Sequence, residues 1–181
     1  MAVPEAALSA RARRAYEMGR LRSALPAVAL AVPMVGLSLA LCDRMAASAG
    51  CGLALVAVLL AAAWHGRAYA RGARAGLVAG IGPLLLPMAT GFHLCAGGVC
   101  LLAPTACIVA ALVGGAALGL HARRHIPASA DAGGYVVTAL GVAALAGSLG
   151  CVIAGVSGIV GMVVGLAIGA VPVLWWPART T

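Results

Sequence analysis

"GGYVVTALGVAALAGSLGCVIAGVSGIVGMVVGLAIGAVPVLWW", residues 133–176, runs for 44 positions without one Asp, Glu, Lys, Arg or His. As a single helix it would be about 66 Å long at 1.5 Å per residue, roughly twice the hydrocarbon thickness of a bilayer. The stretch must therefore hold two spans. Gly and Ser punctuate helices, so "AGSLGC", Ala146 to Cys151, is the expected turn between them.

Upstream, Ser23 to Leu41, Ala46 to Trp64, Ala75 to Phe92 and Val99 to Leu120 are charge-free runs of the size a bilayer-crossing helix needs. The whole chain of 181 residues is 64% hydrophobic and 9% charged, against about 25% charged in an ordinary soluble domain. The expected fold is all-α and polytopic: six transmembrane helices arranged as three antiparallel hairpins. Residues 1–22 form a basic helical arm, 23–176 the membrane domain, and 177–181 a short tail. A cleaved secretory signal is a poor reading of the first run, because its basic leader is too long and its apolar stretch exceeds the usual 7–15 residues.

All twelve basic residues are Arg, and the formal charge is +8. Arg11, Arg13, Arg14, Arg20 and Arg22 precede the first span. Arg67, Arg71 and Arg74 lie between the second and third, Arg123 and Arg124 follow the fourth, and Arg179 follows the sixth. Only Arg44, beside Asp43, falls on the other side. Short cytoplasmic segments carry the excess of Arg and Lys, so both termini are expected in the cytoplasm. Topology and anionic headgroups account for the positive charge, and direct nucleic-acid binding is not expected.

Lipid tails are as apolar as Leu, so spans associate through close backbone packing at small residues. Ser157, Gly161, Gly165 and Gly169 recur every fourth residue, as do Gly72, Gly76 and Gly80, and Ala111, Gly115 and Gly119. These are read as packing stripes within one chain, with homo-oligomer contact through Gly161, Gly165 and Gly169 as the alternative. Pro26, Pro33, Pro83, Pro87, Pro104 and Pro172 interrupt helices at sites where neighbours must satisfy the freed carbonyls.

No acidic or basic residue falls at mid-bilayer depth: Asp43 and Asp131 are in loops, and Glu5 and Glu17 are near the N-terminus. Proton-coupled transport, which relies on such residues, is not expected on that ground. The same count argues against a membrane hydrolase that needs a general acid or base. No phosphate-binding loop, H-E-x-x-H or C-x-x-C is present. Neither an enzyme nor a cofactor is expected.

The cysteines gather on one side. Cys42 and Cys51 flank the first external turn, Cys95 and Cys100 lie in the second, and Cys151 is at the third; Cys107 lies deeper, two turns below Cys100. An oxidising periplasm would let disulfides form there. The candidates are Cys42 with Cys51, Cys95 with Cys100, or cross-links among the turns. His93 could complete a soft-metal site with Cys95 and Cys100. The four residues between Cys95 and Cys100 are wrong for a C-x-x-C exchange motif, which leaves a structural staple, the preferred reading, against a redox or metal sensor. His121 and His125 share a face if the fourth helix continues through "HARRH", either binding metal or facing headgroups. His65 after Trp64, and Trp175 with Trp176, read as interfacial residues.

In the arm, "ALSARARRAYEMGRLR" (7–22) has good helix formers and no Pro. Leu8, Ala12, Ala15, Tyr16 and Gly19 make an Arg-free strip on a helical wheel. It serves either as an anionic-lipid-binding juxtamembrane helix or as a docking helix for a cytoplasmic protein, contacting it through Leu8, Arg11, Ala12, Ala15 and Tyr16.

Six spans, this N-terminal arm, "IGPLLLP" in the third span, "CLLAPTACIVAALVGGAALGLHARRH", and a Gly/Ala-rich last hairpin ending in "LWW" together resemble the NrsF-type membrane anti-sigma factors. The plan is also similar to the small hydrophobic anti-sigma proteins that control light-induced carotenoid genes in some bacteria. The resemblance implies a bacterial inner-membrane protein that sequesters an extracytoplasmic-function sigma factor and releases it on a signal. It also implies that residues 7–22, with loops 65–74 and 121–132, make the contact, and that Cys95 and Cys100 are the sensing candidates. The alternatives are a small thiol-redox or soft-metal carrier using Cys95, Cys100 and Cys107, or a structural membrane subunit.

Overall fold

The computed structural model describes residues 5–41, 45–94, 102–125, 132–151 and 156–175. These form six helices: α1 (Glu5–Leu41), α2 (Met45–His65), α3 (Arg67–Leu94), α4 (Leu102–His125), α5 (Ala132–Cys151) and α6 (Val156–Trp175). Among the described residues there is no strand, as the all-α expectation requires. Three segments are long and apolar enough to cross a membrane: Arg11–Ala40, Met45–His65 and Ala132–Gly150. Shorter apolar stretches, Cys107–Ala122 and Ile159–Val171, lie in α4 and α6. The outward faces are apolar too, with Leu25, Val32, Leu53, Val137 and Ile168 exposed.

α1 has 37 residues and contains both Pro26 and Pro33. At 1.5 Å per residue it is about 55 Å long. The basic arm and the first apolar run are thus one continuous helix. α2 and α3 are separated by Gly66 alone, whose φ of 140° is a conformation that a Cβ disfavours. Its carbonyl accepts the first hydrogen bond of α3, from the amide of Ala70 at 3.0 Å.

The hairpin expectation does not describe how the helices pack. The most extensive interfaces are α3 against α5 and α4 against α6, whereas α5 and α6 meet over much less surface. Each of the two large interfaces joins helices that run in the same direction. Along α3, a Cβ on Gly72, Gly76 or Gly80 would run into Tyr135, Ala139 and Ala146 of α5 in turn. Along α4 and α6, Gly161 faces Ile108, Gly165 faces Ala111, and Gly169 faces Leu112. From the α4 side, a Cβ on Gly115 would lie 2.6 Å from the Leu166 carbonyl oxygen. The glycine stripes are therefore intramolecular. Gly161, Gly165 and Gly169 are occupied by α4, so a homo-oligomer would have to use another surface.

The turn expected at Ala146 to Cys151 is instead the last part of α5. Its glycines permit close packing: a side chain on Gly147 would collide with Met162 and Pro83, and one on Gly150 with the backbone of Leu84. The connection to α6 is at residues 152–155, outside the described residues.

Two buried clusters share α5. One draws Ala31, Met34, Leu55, Leu59, Leu77 and Leu84 from α1, α2 and α3 against Val142, Ala146 and Leu149. The other sets Cys107, Ala111 and Leu118 of α4 and Met162 and Leu166 of α6 against Tyr135, Ala139 and Ala143. At the end away from Arg20, buried Ser38 donates to the Leu149 carbonyl at 2.9 Å and lies 3.3 Å from the Ser48 hydroxyl. This polar tie joins α1, α2 and α5.

Gly76→Val should destabilise the protein by about 1–3 kcal/mol, the usual range for overpacking, because both the Ala139 carbonyl and the Val142 side chain face the added atoms. Gly141, with nothing within 4 Å of its Cβ position, should tolerate Ala and gain about 0.5–1 kcal/mol from helix propensity. Unfolding curves of the two variants in the same detergent should shift in opposite directions.

Candidate functional site

The first half of α1 is exposed at every position from Arg11 to Tyr16. Its root is fastened where it meets the bundle. Arg20 donates one guanidinium nitrogen to the Trp64 carbonyl at 2.6 Å and another to the Tyr16 hydroxyl at 2.7 Å. Its charge also sits 4.6 Å from the centre of the Tyr16 ring. The last carbonyls of a helix lack partners and carry partial negative charge, so a guanidinium at the end of α2 satisfies both demands. Further out, Arg13 pairs with Glu17 at 3.2 Å on the solvent side, a contact of about 0.3–0.5 kcal/mol at most.

From this root the cationic end of the bundle spreads across four helices. The His65 ring lies 2.9 Å from the Ala61 carbonyl through Nδ1 and 5.9 Å, centre to centre, from the Tyr69 ring. Tyr69 in turn covers Gly134 at the start of α5. Arg71 Nε donates to the Arg67 carbonyl at 3.4 Å. Arg71, Arg74 and His121 then line one groove with Tyr135. The Arg-bearing segments of α1, α3 and α4 thus share one end of the bundle, as the Arg distribution requires. α4 does continue through "HARRH" to His125.

The partner-contact candidates Arg11, Ala12, Ala15 and Tyr16 are all exposed on this extension. Leu8 is within α1, with its side chain outside the described residues. The cysteines expected at the external turns are less completely placed. Cys42, Cys95 and Cys100 lie outside the described residues, as do the side chains of His93, His125 and Cys151. The proposed set of His93, Cys95 and Cys100 therefore falls outside what the structure describes. Among the described residues no three His, Cys, Asp or Glu side chains group closely enough to hold a metal ion.

Two cysteines are defined. Cys51 is a free, half-buried thiol, which overturns its pairing with Cys42 across the first turn. It packs beside the cluster of α1, α2, α3 and α5. Cys107, by contrast, is disulfide-bonded and fully buried among the residues of the second cluster. The sequence puts Cys107 two turns below Cys100 and leaves its pairing open, because spacing along one helix does not say which sulfur lies beside it.

Sequence reasoning missed Tyr135 altogether. It lies in the charge-free stretch, is 5% exposed, and its hydroxyl has no hydrogen-bond partner among the described residues. The only sequence signal for it is an aromatic residue close after Asp131, at the end of a span where aromatic residues gather. No protein-family model matches the chain, and neither does any curated protein or solved structure.

Denatured without reductant, the chain should show Cys51 alkylated by a maleimide and Cys107 protected. After reduction both should react. Peptide mass mapping of the two samples checks this, and labelling of Cys107 before reduction would contradict the bond.

Proposed function

We propose that the chain is a six-span bacterial inner-membrane protein with both termini in the cytoplasm. Its role is that of an anti-sigma factor: the N-terminal half of α1 holds an extracytoplasmic-function sigma factor at the membrane until a signal releases it. The observation carrying this reading is the exposed helical extension, whose root is held by Arg20 against Trp64 and whose Arg11 to Tyr16 stretch is exposed throughout. From Glu5 to Arg20 it rises about 22 Å. An extended helix with small residues at Ala12 and Ala15 beside an aromatic Tyr16 suits insertion into a partner's groove. The Arg side chains around that strip would add attraction to an acidic rim and speed encounter.

The missing intramembrane acids support regulation over transport. The thiol-carrier reading is weakened by Cys107, because a relay needs an accessible sulfur and this one is buried and already bonded. Its bond is better read as a staple.

Affinity purification of the full chain from native membranes should recover a sigma factor, and deletion of residues 1–22 should remove it. Replacing Ala12 and Ala15 with Glu should weaken retention by about tenfold or more, equivalent to roughly 1.4 kcal/mol. If no transcription factor co-purifies and loss of the protein leaves transcription unchanged, the reading is wrong. Topology reporters fused at residues 1 and 181 should both report cytoplasm; opposite locations would rule out an even number of spans.

A further inference from the structure

α3 and α4 run in opposite directions and touch where Gly114 approaches the Ala79 carbonyl. On either side of that line both helices present small residues, including Ala75, Gly82, Ala110 and Ala117. The close pairings of α3 with α5 and of α4 with α6 leave this outer face uncovered among the described residues. The result is a groove of about 1140 Å³.

Its two ends differ chemically. Val78, Leu86, Val109 and Val113 make the long part apolar, whereas Arg71, Arg74 and His121 stand at the other end. From Arg71 to Leu86 the groove follows α3 for about 22 Å, more than half of a hydrocarbon core about 30 Å thick. Near the cationic end, Tyr135 of α5 also lines it. Tyr135 is only 5% exposed, and its hydroxyl has no hydrogen-bond partner among the described residues. A buried hydroxyl without a partner is costly, and a ligand oxygen in the groove would relieve that cost.

The geometry points to a binding site for one anionic phospholipid, with its phosphate on Arg71, Arg74 and His121. A headgroup or ester oxygen accepts the Tyr135 hydroxyl, and an acyl chain lies along Val78 and Val113. Charge and shape together select this occupant. Guanidinium forks match phosphate oxygens in geometry and charge, and the groove continues from that end along the apolar side chains of Val78, Val109 and Val113. Neither feature depends on the sigma-factor reading.

The test uses the full chain in an uncharged detergent, titrated with dioleoyl-phosphatidylglycerol, dioleoyl-phosphatidylcholine or inorganic phosphate and read by native mass spectrometry. Phosphatidylglycerol should bind at least tenfold more tightly than phosphatidylcholine, and inorganic phosphate should not displace it at equal concentration. The double variant Arg71→Gln, Arg74→Gln should lower phosphatidylglycerol affinity about tenfold and leave phosphatidylcholine unchanged. Tyr135→Phe should weaken phosphatidylglycerol two- to fivefold. Val113→Trp, at a position 65% exposed, should obstruct the channel and weaken both lipids. Equal affinity for the two lipids, or unaltered phosphatidylglycerol binding in the double Arg variant, would overturn the site. Displacement by inorganic phosphate alone would overturn the lipid as its occupant.

Discussion

Helices surrounded by hydrocarbon gain little by hiding apolar surface from it, so what holds them together is the closeness with which their backbones meet. In this protein that closeness is set by glycine at every fourth position of α3 and α6. Gly76 and Gly169 bring carbonyl oxygens of the neighbouring helix to where a side chain would otherwise stand. Dispersion falls steeply with small gaps, so missing Cβ atoms over three successive turns matter more than the size of any single core residue. The stripes join α3 to α5 and α4 to α6, each pair running in parallel. Because each pair skips over an intervening helix, the two halves of the chain interlock through α5, which contributes to both buried clusters.

The same medium dictates where polar groups go, because a buried donor or acceptor has no water to fall back on. Thr138 donates to the Gly134 carbonyl at 2.7 Å and Ser148 to the Leu145 carbonyl at 2.8 Å, each within its own helix. Ser38 reaches across to Leu149 and so adds an interhelical tie. Tyr135 departs from this pattern among the described residues, and it does so beside the groove where Arg71, Arg74 and His121 gather. The cationic end carries the features directed outward: the exposed half of α1, fixed through Arg20, and the groove mouth between α3 and α4.

The helices and their approximate extents were legible because long runs without charge leave the backbone one way to satisfy its hydrogen bonds in an apolar medium. The common end of the Arg-bearing segments was legible for a related reason, since guanidinium groups resist crossing that medium. The stripes at Gly72, Gly76, Gly80 and at Gly161, Gly165, Gly169 could be recognised as packing faces. Their partners could not, because a stripe specifies close approach without specifying what approaches. "AGSLGC" was misread for the same reason: Gly147 and Gly150 look like helix breakers in one dimension and act as contact points under Met162 and Leu84 in three.

The sequence by itself determined an all-helical, apolar chain with every Arg but Arg44 expected on one side and small residues in registered stripes, all properties of local composition and period. Only the tertiary structure decided that next-but-one helices pair in parallel, that Cys51 is free while Cys107 is bonded, and that Tyr135 meets Arg71, Arg74 and His121 at one groove. Those outcomes depend on which backbones can approach most closely among several small-residue faces. That competition is settled between helices distant in sequence, and no single segment encodes its result.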